Sequence, residues 1–262
     1  MDTSLLAILF LLGLSGGFVS GLLGIGGGII MVPLLLYVPP ALRLGALSMK
    51  EVAGMTSVQS FFGAASGAVA HKRHRQVSAP LAWVMGSGMG TGSLAGSFGS
   101  KVVSSEAILI LFALMALTAS ILMFFPIPEY DGQESDVRNL IFNRPLALAV
   151  GLSIGLLSGI IGQGGAFLFI PAMIYILRIP TRITIGTAMV IGMVSSVSVL
   201  IGRMGTNQIP YLKAGVLVAG VLIGAQAGAA VSQKTPTAVL RKILAVIIAA
   251  TAVKIGYELL IT

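Results

Sequence analysis

The chain has 262 residues, 56% of them apolar and only 9% charged, with no cysteine, two histidines and a net charge of +8. A soluble domain would carry roughly a quarter charged residues, so the composition excludes one and points to a protein of the lipid bilayer. Without cysteine there are no disulfides and no thiolate metal sites, two histidines make no metal cage, and no cofactor is implied.

The excess of Lys and Arg reads as loop charge gathered by the positive-inside rule, not as a nucleic-acid surface. Residues 4–37 form the first apolar stretch, after Met1-Asp2-Thr3-Ser4 with no basic segment, so it reads as mature structure and not as a signal peptide. As one helix it would reach about 51 Å against a hydrocarbon core of about 30 Å, yet two spans need about 40 residues. The economical solution is a helix, a break at Gly24 to Gly28, and a half-helix starting near Ile29 with Pro33 in its first turn. Residues 38–50, with Pro39 and Pro40, then form a loop. Spans follow at about 51–70, 79–100 and 105–125, and His71-Lys72-Arg73-His74-Arg75 between the first two is a solvated anchor. Residues 126–143 hold Glu129, Asp131, Glu134 and Asp136 and form a polar linker. A second broken element at 144–177 and spans at about 183–202, 212–232 and 237–261 complete the chain.

The two halves repeat. Residues 13–37 and 151–175 match without a gap at Gly13, Leu14, Ser15, Gly17, Ser20, Gly21, Gly24, Gly26, Gly27, Pro33 and Tyr37, 11 of 25 positions. At an offset of 132, Gly54 meets Gly186, Gln76 meets Gln208, and Gly88, Gly92, Gly96 and Ser100 meet Gly220, Gly224, Gly228 and Ser232. The expected fold is an all-α integral membrane protein with two homologous repeats, 1–125 and 144–262. Each holds a broken or re-entrant helical element plus three transmembrane helices, about eight membrane segments in all.

If each broken element crosses once, the basic residues divide 8 to 8 between the faces. If it folds back, the halves are inverted and the division is 6 (Arg43, Lys50, Lys101, Arg203, Lys213, Lys254) to 10. Only the inverted arrangement gives a positive-inside bias, and it puts the His71 to Arg75 loop in the cytoplasm.

No carboxylate lies well inside a span, so a cation route has no evident ligands. An anion route can use bare backbone N–H groups, half-helix N-termini and neutral polar side chains, all of which this chain has. The candidate constellation is Gly26, Gly27 and Gly28 facing Gly164, Gly165 and Ala166, with Ser20 and Ser158 about a turn earlier. Gln163 stands where the first copy has Ile25 and adds one amide at the break. Thr56, Ser57, Gln59 and Ser60, and in the counterpart helix Thr187, Ser195, Ser196 and Ser198, supply further donors. Close packing explains glycines and intrahelical bonding explains hydroxyls, but a glycine triplet followed at a fixed distance by proline is unlike a packing motif. Arg203, Lys213 and Lys254 lie near span ends and are expected to snorkel to headgroups. No nucleophile, base and orienting acid occur together, so an enzyme is not expected.

Gly-Leu-Leu-Gly-Ile-Gly-Gly-Gly-Ile-Ile-Met-Val-Pro at 21–33, its repeat Gly-Ile-Ile-Gly-Gln-Gly-Gly-Ala-Phe-Leu-Phe-Ile-Pro at 159–171 and Ala-His-Lys-Arg at 70–73 resemble the sulfite exporter TauE/SafE family over nearly the whole chain. The resemblance implies a multi-pass inner-membrane transporter of sulfur-containing anions such as sulfite or sulfonates. The partners expected are a small anionic substrate and the lipid bilayer, with proton coupling and a homo-oligomer both open and no nucleic acid. An anion channel with the same site and a membrane scaffold are the competing readings.

Overall fold

In the computed structural model of the chain, residues 3–23, 28–70, 77–124 and 140–232 and Val246 are described. Gly24, Gly26 and Gly27, the His71 to Arg75 cluster, the acidic part of the linker and all of the expected last span but Val246 lie outside them. Helices α1 (Thr3–Leu23), α2 (Gly28–Ala41), α3 (Met49–Ala70), α4 (Ala79–Gly99) and α5 (Ser105–Phe124) are followed by α6 (Arg144–Ile161) and α7 (Ala166–Pro171). A π-helical turn (Ala172–Ile176), α8 (Thr181–Gly205) and α9 (Tyr211–Ser232) complete the order, and no strand occurs among the described residues.

Local sequence explains the ends of these helices. Asn143 caps α6 by accepting from the Leu146 N–H at 3.0 Å, with Pro145 in the first turn where its missing N–H costs nothing. Helix α2 starts one residue before the expected Ile29, so Pro33 is its sixth residue, past the first turn, and the helix forfeits the bond that residue 33 would have made to the Ile29 carbonyl. At the equivalent Pro171, α7 gives way to the π turn, closed by the Leu177 N–H on the Ala172 carbonyl at 3.1 Å. Pro39 and Pro40 do not open a loop: α2 runs on to Ala41, because proline carbonyls still accept, here from the N–H groups of Leu44 and Arg43 at 2.9 Å. Both half-helices stop at an exposed arginine in the left-handed region, Arg43 (φ 59) and Arg178 (φ 55), in the related runs Leu42-Arg43-Leu44 and Leu177-Arg178-Ile179.

Glycine seams hold the long helices together. A Cβ on Gly13, Gly17 or Gly21 of α1 would strike the carbonyl oxygen of Leu217, Val221 or Ala225 of α9, and one on Gly220, Gly224 or Gly228 would strike that of Phe10, Leu14 or Phe18. The same seam joins α6 to α4: Gly151, Gly155 and Gly159 press on Met85, Met89 and Ser93, and Gly88, Gly92 and Gly96 on Leu148, Leu152 and Leu156. Each contact in one seam maps onto a contact in the other through the offsets of 138 and 132. Backbones meet this closely only where both partners offer small residues, the usual way membrane helices gain dispersion contact without a hydrophobic driving force.

The contacts also fix direction. Numbers rise together across α1 and α9, across α4 and α6, and across α4 and α8, where Gly86, Gly90 and Gly202 meet Ile191, Val194 and Ser97. Glu51 of α3 pairs with Lys213 of α9 at 2.8 Å and Lys50 reaches the Lys101 carbonyl at 3.3 Å, so α3 and α9 begin at the end of the bundle where α4 finishes. Thus α1, α3 and α9 run one way and α4, α6 and α8 the other. Helix α2 turns back along α1, since a Cβ on Gly16 would meet Met31 and lie 3.7 Å from Leu34.

Among the described residues five helices are long and apolar enough to cross a membrane: Thr3–Leu22, Ser105–Leu122, Arg144–Ile161, Gly186–Gly205 and Tyr211–Val231. Leu11, Leu114, Leu117, Ile121, Leu152 and Ile223 stand exposed on them, an apolar belt that a membrane protein turns to lipid. Helix α3 is as long but buries Thr56, Ser57, Gln59 and Ser60, which lowers its hydropathy and turns it inward. The chain is a multi-pass helical membrane protein.

Candidate substrate site

The second break is built from four residues, Gly162-Gln163-Gly164-Gly165. Gly162 ends α6 in the left-handed region (φ 86, ψ 26), with its N–H on the Ser158 carbonyl at 2.9 Å. Gly165 starts α7 in the same region (φ 67, ψ 7). Two left-handed residues within four reverse the chain sharply, which side chains with a Cβ resist and glycine does not. The reversal is braced from within: Ser158 Oγ donates to the Gln163 carbonyl at 2.8 Å, and the Gln163 N–H reaches the Ser158 carbonyl at 3.0 Å. Thr56 Oγ1 lies 3.3 Å from the Gly162 carbonyl while bonding the Val52 carbonyl of its own helix at 2.9 Å.

Gln163 joins the second break to the start of α2. Its side chain is 1% exposed, and Nε2 donates to the carbonyl of Gly28, the first residue of α2, at 3.0 Å. Its Oε1 is buried without a hydrogen-bond partner. A Cβ on Gly28 would lie 2.7 Å from Gln163 Cδ and Oε1, so glycine is required there by this one side chain. Gly164 is held on its other side by Ser196, whose Oγ would be 2.7 Å from an added Cβ.

Of the residues singled out in the sequence, Gly28, Thr56, Ser158, Gln163, Gly164 and Gly165 come together around this break. Ser20 and Gln59 are buried, and Gly26 and Gly27 lie outside the described residues. Ser57 bonds its own helix at the Gly54 carbonyl, 2.7 Å away, and Thr187 Oγ1 accepts from the Ser78 N–H at 3.1 Å, holding the chain before α4. These two make structural bonds away from the break.

Two features escaped the sequence reading. Ser93 and Ser195 share a hydrogen bond of 2.7 Å between α4 and α8, a pairing that needs the fold to be seen. Arg203 does not snorkel: it is fully buried in the last turn of α8. Its Nη2 donates to the carbonyls of Gly159 and Ile160, and its Nη1 to Gln208 Oε1. The break at Gly162 leaves the last carbonyls of α6 without helical partners, and their partial negative charge draws the guanidinium inward. The available signal was Gly202, whose lack of a Cβ lets Ser97 close over the same turn.

The family model for sulfite exporter TauE/SafE matches residues 9–255. A probable membrane transporter protein of Bacillus subtilis, YunE, is 25% identical over 96% of this chain and 97% of its own length. A probable membrane transporter protein of Xylella fastidiosa strain Temecula1 is 30% identical over 66% of this chain and 64% of its own, and Bacillus subtilis YdhB is 25% identical over 90% and 93%. No solved structure matches the chain. With a match across nearly all of its length and relatives named as transporters, the chain belongs to the sulfite exporter TauE/SafE family of membrane transporters.

Proposed function

We propose that the protein is a secondary carrier of small sulfur-containing oxyanions, such as sulfite or organosulfonates, in the bacterial inner membrane. The substrate is bound between the two glycine breaks. The observation that carries this reading is the Gln163 to Gly28 bond, which brings break to break in the buried middle of the bundle. The backbone supplies donors: the first bonds after the second break run from the Leu168 and Phe169 N–H groups to the Gly165 carbonyl, so helix geometry leaves the N–H groups of Ala166 and Phe167 to a ligand. The unpartnered Gln163 Oε1 gives the site one acceptor, which suits an oxyanion carrying a proton or an amine.

The architecture we infer is a pair of inverted repeats with re-entrant hairpins, about eight segments in all. It is supported by the opposed directions of α1 and α6 and by the return of α2 along α1. Arg203, being buried, leaves the loop tally, so the basic residues of that arrangement divide five to ten and the bias between faces sharpens. Alternating access then follows from rocking about the paired breaks.

The test is thermal stabilisation of the purified protein by sulfite, sulfate, thiosulfate, taurine and simple carboxylates, repeated on Gln163→Ala. A ligand that binds only the native state raises its midpoint. Selective stabilisation by a sulfur anion, lost in the variant, is expected; a response equal across the panel and untouched by the variant would sink the reading. Flux into proteoliposomes without unitary currents separates a carrier from a channel.

A further inference from the structure

We propose that Arg203 and Gln208, with the Ser100 hydroxyl, form a second oxyanion site on the route between the break at Gly162 and the membrane face where α3 and α9 begin. It rests on the oxyanion reading above and adds to it the charge that the central site lacks.

The cluster is buried, cationic and incompletely bonded. Arg203 is 0% exposed, yet Nε has no partner after its two terminal nitrogens are used on Gln208 and on the carbonyls of Gly159 and Ile160. Gln208 Oε1 accepts from Arg203, with Ser100 Oγ 3.2 Å away while that hydroxyl also reaches the Ser97 carbonyl at 2.6 Å, and Gln208 Nε2 is buried without an acceptor. Two orphaned donors on adjoining side chains call for an acceptor. A guanidinium removed from water also calls for a negative charge, and carbonyl dipoles cancel only part of one. Among the described residues the one ion pair is Lys213 with Glu51, so no described carboxylate neutralises Arg203. An oxyanion supplies both the charge and the acceptor oxygens, and the guanidinium fork suits its geometry.

The position fits a route. Arg203 touches the last turn of α6 directly before the break, and the Gln208 carbonyl lies against Gly54, close in sequence to Thr56, which reaches Gly162. Outside it, at the same end of the bundle, stand Lys50, Lys101 and Lys213. An anion entering there meets the exposed Lys101 and the half-buried Lys50 and Lys213, the last already paired with Glu51, then one fully buried cation, then the amide of Gln163, an order in which attraction grows as water is lost.

The competing reading is that Arg203 merely caps α6. Gln208→Glu separates the two, because it gives the guanidinium a carboxylate of nearly the same shape and leaves the cap untouched. We expect radiolabelled sulfite, measured by equilibrium dialysis on the lipid-free purified protein, to bind Gln208→Glu at least tenfold more weakly, with an anion-free melting midpoint no lower than that of the wild type. Wild-type affinity in that variant overturns the proposal. If it does not fold, Gln208→Met decides the question by deleting the Nε2 donor together with the Oε1 that holds Arg203, with weaker binding expected and unchanged binding overturning. Gln163→Ala, run alongside, tells the two failures apart. Loss in Gln163→Ala alone removes the Arg203 site and keeps the central one, loss in the Gln208 variants alone does the reverse, and no binding by the wild type removes both. Phosphatidylglycerol that displaces sulfite from the wild type but not from Gln208→Glu would make the cluster a headgroup seat and overturn its place on the route.

Discussion

Gly28→Ala tests the contact between the two breaks, and its size can be worked out from the structure. The new methyl would sit 2.7 Å from Gln163 Cδ and Oε1 and 2.9 Å from Cγ, where ordinary contact needs at least 3.4 Å. Gln163 is 1% exposed and tied to the Gly28 carbonyl, so it moves only by giving up that bond. Overpacking costs about 1–3 kcal/mol and the lost bond about 0.5–1.5, against a gain in helix propensity of up to about 1. The net expectation is about 1–3 kcal/mol, or a fall of several degrees in melting midpoint. Gln163→Ala loses the same bond but also vacates the space the methyl needs. The double variant should therefore be about as stable as Gln163→Ala alone, and the coupling should be favourable by about 1–3 kcal/mol. Unfolding by titration with a denaturing detergent reads all four species. If the two effects add to within about 0.5 kcal/mol, Gln163 does not bridge the breaks, and the central site loses its support.

Other consequences follow from the seams and the ends. Gly96→Ala and Gly228→Ala press a methyl on the carbonyls of Leu156 and Phe18 at equivalent places, so each should cost about 1–3 kcal/mol; a silent variant at either position would break the correspondence between the seams. The Glu51 to Lys213 pair is partly exposed, with side chains 36% and 24% accessible, so a double-mutant cycle should give about 0.2–1 kcal/mol that falls with salt. The protein has no cysteine, which gives single-cysteine labelling a clean background. Val102→Cys and Asn207→Cys should react from one face of the membrane, and Val77→Cys and Ile141→Cys from the other; Val102 and Asn207 on opposite faces would refute the shared direction of α4 and α8.

Helix positions were legible because apolar run length and breakers act locally. The expected spans at 79–100 and 105–125 became α4 and α5, ending at Gly99 and Phe124. The break at 162–165 was legible for the same reason, since glycines that forfeit helix propensity announce themselves without a partner. The start of α2, expected near Ile29, falls at Gly28, and Pro33 lies past the first turn because proline removes a bond without fixing where a helix begins. Arg203 misled more. Near a span end an arginine either snorkels or turns inward, and the choice rests on carbonyls 43 and 44 residues away in sequence. Thr187 and Ser57 each make a structural bond that the sequence could not show, because hydroxyls in apolar helices have two indistinguishable uses until their partners are known.

The seams bear on which parts can move. Helix α1 is locked along α9 and α6 along α4 through carbonyls that leave no room for a single methyl, so each seam behaves as one body. Each body then combines the first helix of one sequence half with the third long helix of the other. Halves defined by sequence, 1–125 and 144–262, cannot rock apart as units without tearing both seams. Motion that spares them must pass between the α1–α9 pair and the α4–α6 pair. Gln163 and Gly28 sit on that boundary, one on the break that follows α6 and the other at the start of α2. A substrate bound there would touch both bodies at once, which is what a carrier needs if occupancy of the site is to govern the motion.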